Sequence, residues 1–284
     1  MKWQGRRRSQ NIEDRRRRGP GAVGGIGGVG LVAILVIGYF LGVDVTPLLN
    51  DPSLGGGGSQ SSTVELTAAD RQAGEFVSVT LADTEEVWAE LFQEQVGQAY
   101  TPATLVLFKS ATQSPCGGAS GASGPFYCPA DKKAYLDTEF FTTLSRRLGA
   151  SGDFAAAYVV AHEISHHVQN ELGILGQANQ ARQQSSEAQS NAISVRIELQ
   201  ADCFSGIWAR HAQAQFGSVE RGDIEEAMNA AKQIGDDTLQ RNAGRRPNPH
   251  TFTHGTSEQR QRWFITGYES GRMAACDTFG ASSL

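Results

Sequence analysis

His162-Glu163-Ile164-Ser165-His166 sits in a run, 154–170, in which Glu163 is the sole charged residue. Positions i and i+4 share one face of an α-helix, so His162 and His166 can offer imidazole nitrogens to one metal ion. Glu163 projects beside them, placed to take a proton from an attacking water. Asp153 marks a helix start and Gly173 a stop. A string of this kind also arises by chance on amphipathic helices, so its weight depends on what accompanies it.

Catalytic zinc takes three protein ligands and keeps a fourth position open. The extended form H-E-x-x-H-x-x-G-x-x-H is excluded, because Gln169 and Leu172 stand where Gly and His would be needed. A carboxylate on a later helix is the other route. Segment 186–215 carries an apolar stripe of Ile193, Ile197, Ala201, Phe204 and Trp208 at helical spacing. Within it Glu198 and Asp202 share a face. One can ligate zinc while the other accepts the second N–H of a ligand histidine, which fixes the ring tautomer. Glu198 is the expected ligand and Asp202 the orienting group; swapped roles are the alternative. The bland readings are a solvated Glu198 and an Asp202 paired with Arg196 or Arg210. His167, rotated about 100° from His166, reads as a packing histidine.

These motifs resemble the gluzincin metallopeptidases. The chain is more closely similar to the bacterial neutral zinc metallopeptidase family. The matching pieces are MKWQGRRRSQNIEDRRR at the N-terminus, LVLF with a following SPCG, GPFYCPADKKAYLD, YVVAHEISHHVQN, RIELQADCFSGIWA and THGTSEQRQRWF. Ser165 departs from the glycine expected there. The resemblance implies a zincin-like metallopeptidase domain that binds one Zn2+ per chain and cleaves peptide or protein substrates. Thr253-His254 followed by Arg260 is similar to a Thr-His-Pro segment of membrane-associated zinc endopeptidases, with Gly255 in place of proline. That likeness implies that His254 stabilises the oxyanion. A surface histidine near a helix start at Ser257 is the alternative, with Tyr158 another candidate donor.

Charge is unevenly divided. Residues 1–18 hold eight Lys/Arg against two acids, +6, so the remainder of a chain with net charge −5 sums to −11. An acidic body with a basic tail does not suit a nucleic-acid binder, whose cations cluster on the folded domain. The basic block precedes 22–43, which carries no charge and is long enough to span a bilayer core of roughly 30 Å. The expected organisation is a cytoplasmic segment 1–21, a transmembrane anchor 22–43, a Gly/Ser-rich linker 44–62 and an extracytoplasmic peptidase domain 63–284. This places the chain at the plasma (inner) membrane, crossing it once with its N-terminus in the cytoplasm. A cleavable signal peptide is the alternative, but no A-x-A-like site follows the apolar core. Oligomeric state leaves no mark on the sequence.

The expected fold class is α+β, mainly α-helical with a small early sheet. Helices are expected from Ala68 or Ala69, over Glu85–Gln95, over Phe140–Leu148, and throughout after 153. Strands are expected at Thr104–Phe108 and Lys133–Asp137, the second offering itself to an extended substrate. The chain has four cysteines and no C-x-x-C. Outside the cytoplasm an even count points to two disulfides, Cys116–Cys128 around a loop of small residues and Cys203–Cys276 by remainder; four buried thiols are the alternative. The reading is a membrane-anchored zinc endopeptidase with Glu163 as general base. Its rivals are a silent zinc-binding interaction module and a zinc amidase acting on cell-wall material.

Overall fold

Thr67 opens the first helix, α1 (Ala68–Leu91), through a capping box: its hydroxyl accepts from the Asp70 N–H while Asp70 accepts from the Thr67 backbone. The sequence suggested two helices here. They are one, because neither Gly nor Pro interrupts 75–96; the chain runs on through a π-helical turn, Phe92–Val96, and stops at left-handed Gly97. The computed structural model describes residues 1–17, 65–120 and 124–284. The expected span at 22–43 and linker at 44–62 lie outside the described residues. Among the described residues no helix is long and apolar enough to cross a membrane.

A four-stranded sheet has the order β1 (Ile12–Asp14), β2 (Thr104–Phe108), β6 (Lys133–Asp137), β5 (Phe126–Cys128). β1 and β6 flank β2 in parallel, and β5 runs antiparallel to β6. β2 and β6 are the strands read from sequence, with the same bounds. They are interior and bury four of five residues each, which suits an unbroken Thr-Leu-Val-Leu-Phe run. β6 is therefore paired on both sides and cannot receive a substrate strand, contrary to expectation; the outer strands of the sheet are β1 and β5. A separate hairpin, β3 (Ala111–Ser114) and β4 (Gly117–Ser120), is tied to β5 by the Cys116–Cys128 disulfide.

The remainder is helical: α2 (Phe140–Arg146), α3 (Asp153–Glu171), α4 (Ile174–Gln183), α5 (Glu187–Phe216), α6 (Asp223–Gln233), α7 (Asp236–Asn242) and α8 (Ser257–Ser270). The chain is thus mainly helical α+β with a small sheet. α3 is buried on nearly every side, from Phe154 to Ser165, as a helix without a polar face must be. α5 and α8 meet through two glycines. A Cβ at Gly206 would lie 2.0 Å from the Phe264 carbonyl oxygen, and one at Gly267 1.8 Å from that of Cys203. Cys203–Cys276 fastens the same region to the C-terminal 3-10 turn Met273–Cys276.

Residues 1–17 do not form a segment apart from the domain. β1 completes the sheet, Trp3 packs edge-on against Phe76 at 5.6 Å, and Arg6 pairs with Asp83. The basic residues find acidic partners on α1, and the Trp3 ring finds the main core.

Candidate metal centre and active site

α3 presents His162 and His166 one turn apart, and α5 crosses it with Glu198 facing both. The Glu198 Oε2 lies 3.1 Å from His162 Nε2, and its Oε1 lies 3.5 Å from His166 Nε2. Ligand atoms about 2.0–2.2 Å from a tetrahedral zinc stand roughly 3.3–3.5 Å apart. The donor set and spacing therefore fit zinc. Tautomers agree with this. His162 donates Nδ1–H to Asp202 Oδ1 at 2.9 Å, and His166 donates Nδ1–H to Gln169 Oε1 at 2.9 Å. Both Nε2 lone pairs are left for a metal. The local field also favours a cation. Burial opposes charge on the His162 ring, yet the carboxylates of Asp202 and Glu198 raise its pKa to about 10, so without a metal a proton holds the Nε2 position beside Glu198 that a metal would take.

Asp202 is fully buried and serves three donors. Tyr158 donates its hydroxyl to Oδ1 at 2.5 Å, and Arg260 donates Nη2–H to Oδ1 at 2.9 Å and Nε–H to Oδ2 at 2.8 Å. Against the cost of its burial, Arg260 and His162 hold its carboxyl below the usual range. Its ion-pair partner is thus Arg260 of α8, neither Arg196 nor Arg210. The Tyr158 proton is committed to Asp202. His167 is a packing residue: it donates Nε2–H to the Thr101 carbonyl at 2.7 Å and accepts from the Tyr127 hydroxyl at 3.0 Å.

Glu163 follows His162 on the wall of a cleft of about 1140 Å³. It is 8% exposed, and among the described residues no group hydrogen-bonds its carboxylate. Burial, with help from the Glu198 charge, raises its pKa to about 7. His254 lies on the same cleft with its side chain 48% exposed, whereas His250, also exposed, is absent from the lining. Asp236, at the start of α7, accepts from the backbone N–H groups of Thr253, His254 and Gly255 and from His254 Nδ1 at 3.2 Å. Among the described residues one other carboxylate cluster, Asp153, Asp223 and Glu226, has metal-like spacing, but the Met1 ammonium sits against Asp153 and Asp223 at 2.9 and 3.2 Å.

A family model described as "Putative neutral zinc metallopeptidase" matches residues 1–279. The chain belongs to this neutral zinc metallopeptidase family. Membership brings hydrolase chemistry and zinc at the level of the family. It also includes the N-terminal arm, since the match begins at residue 1. The chain is 46% identical to the Escherichia coli protein "Uncharacterized protein YpfJ" over 99% of its own length and 100% of that protein's. It is 43% identical to "Uncharacterized protein Mb2605" of Mycobacterium bovis, over 77% of this chain and 75% of that one. No solved structure matches.

Two residues of this family member escaped the sequence reading. Gln169 entered it only as a non-glycine, yet it orients His166 and anchors itself by donating to the Ile197 carbonyl and Gln200 Oε1. Its place three residues after His166, on the same helix face, was the available signal. Asp236 is 18 residues from His254, and nothing local marks the pairing.

Proposed function

We propose that the chain is a zinc-dependent endopeptidase of the zincin type, hydrolysing peptide bonds with Glu163 as general base. The observation that carries this is the buried Glu163 carboxylate, without a hydrogen-bond partner among the described residues, beside the two-His, one-Glu donor set on a cleft large enough for a polypeptide segment. A site that only stored metal would need no such carboxylate. His162, His166 and Glu198 would hold one zinc ion. When bound, zinc lowers the pKa of water to about 7 and polarises a carbonyl as a Lewis acid. Glu163 accepts the proton of the attacking water and passes it to the leaving amine. His254, steadied by Asp236, donates to the oxygen on which negative charge develops.

An extended substrate pairs with β5, the sheet edge whose Phe126 and Tyr127 line the cleft. Arg146, Arg147 and Arg182 also line it, on a chain of net charge −5, and favour acidic residues in the bound peptide. The stretch 22–43 is the proposed membrane attachment. The test is incubation of the full chain with an unstructured protein. Cleavage should stop with a zinc chelator and return with added zinc. Zinc binding without cleavage would favour a silent interaction module. Cleavage of a cell-wall peptide containing D-amino acids, with the unstructured protein left intact, would favour a cell-wall amidase.

A further inference from the structure

The first seventeen residues read in sequence as a topogenic basic block, and the structure puts those same charges to another use. Arg6 pairs with Asp83, Arg7 with Glu85 and Glu86, and Arg8 with Glu75, all on α1. The Arg6 guanidinium also lies 4.5 Å over the Phe216 ring of α5. Ser9 donates its backbone N–H to the Ser78 carbonyl at 3.0 Å, and Leu105 donates to the Asn11 carbonyl at 2.8 Å. β1 then pairs in parallel with β2 from Ile12↔Leu105 to Asp14↔Leu107 and covers an edge that would otherwise expose an apolar interior strand. Lys133 of β6 reaches Glu13 at 2.7 Å. Finally, the Arg16 guanidinium occupies the space above Gly74, where a Cβ would lie 2.4 Å from it, and bonds the Asp70 carbonyl in the first turn of α1.

Arg16 thus touches the helix that begins at Ala68. A single crossing by 22–43 would hold residues 17 and 65 on opposite sides of a core roughly 30 Å thick. Both cannot hold in one folded molecule. We infer that residues 1–17 and the peptidase domain form one folded unit on the same side of the membrane. The folding unit then includes 1–17 and is not the fragment 63–284. The inference is independent of the zinc chemistry and survives if the peptidase reading fails.

The test is cysteine mapping of the full chain in intact cells and in inverted membranes. All four native cysteines are in disulfides, so engineered thiols stand alone. Arg8→Cys and Glu75→Cys, made singly, should be labelled by a membrane-impermeant maleimide from the same side. The Arg8→Cys/Glu75→Cys variant should be joined within one chain by a short bismaleimide, read as a linked peptide pair by mass spectrometry. Arg7→Cys/Glu86→Cys, an exposed pair elsewhere on the same interface, repeats the measurement should the first variant fold poorly. Labelling of the arm and the domain from opposite sides would overturn the inference. So would the absence of linked peptides when both cysteines are labelled.

Discussion

Replacing Asp202 by Asn changes two properties of the site, and they can be measured apart. Asp202 is fully buried and accepts from Tyr158, His162 and Arg260. Asn has the same shape, but one oxygen becomes an NH2 facing a donor, and the buried Arg260 loses its counter-charge. Removing one partner of a buried pair costs about 3–5 kcal/mol. His162 also loses its carboxylate acceptor, which typically weakens metal binding about 10–100-fold. The stability loss should appear in urea unfolding of metal-free protein, and the affinity loss in zinc competition against a chelator. Asp202→Asn/Arg260→Met removes both charges and should recover most of the stability, because an apolar replacement of a buried pair is often neutral. It should not recover zinc affinity, since His162 remains unsupported. An Asp202→Asn variant within about 1 kcal/mol of wild type would show that the buried pair does not stabilise the fold, and a double variant that regains full zinc affinity would show that Asp202 does not support His162.

Gly267→Ala should destabilise the chain by about 3 kcal/mol, the upper end for overpacking, because the obstructing Cys203 oxygen belongs to a helix backbone and cannot rotate away; a change under about 1 kcal/mol in urea unfolding would contradict it. His254→Ala should retain zinc and lower kcat about 10²–10³-fold, the usual loss for one oxyanion donor, with Asp236→Asn showing a smaller fall; steady-state kinetics on a peptide substrate checks both. Gln169→Ala should weaken zinc binding about 10–100-fold in the same chelator competition. The Arg15 hydrogen bond, then Lys133, lowers the Glu13 pKa from 4.5 to about 2. Its contribution is therefore present above pH 4.5 and lost as pH falls through about 2. The difference in Tm between wild type and Glu13→Gln should shrink across that window, and a constant difference would sink the assignment.

The juxtaposition of the candidate metal ligands was legible because it rests on local periodicity. His162, Glu163 and His166 are fixed by one helical turn, and Glu198 with Asp202 by another, so two helices that cross suffice to assemble five residues. β2 was legible as an apolar run and β6 as a short Ala-Tyr-Leu stretch between two charges, but not their neighbours in the sheet. That is why β6 passed for a free edge, and why β1, a three-residue strand with charges at two positions, passed for part of a basic tail. Arg260 reaches Asp202 because Gly206 and Gly267 let α5 and α8 touch, and Asp236 reaches His254 through a loop. Those contacts depend on how helices stack, which no short window of sequence records. The N-terminal arm shows the same limit from the other side: a run of arginines looks alike whether it faces a membrane or a row of glutamates on α1.

If Glu163 moves the proton for peptide hydrolysis at a zinc site, its replacement stops cleavage and leaves the metal bound. The most direct measurement compares wild type and Glu163→Gln, side by side, for zinc content and for new amino termini generated in an unstructured protein. About one zinc per chain is expected in both proteins, since Glu163 is a base and not a ligand. Cleavage is expected from the wild type alone. Equal cleavage by the two proteins would contradict the account, and so would loss of zinc from Glu163→Gln.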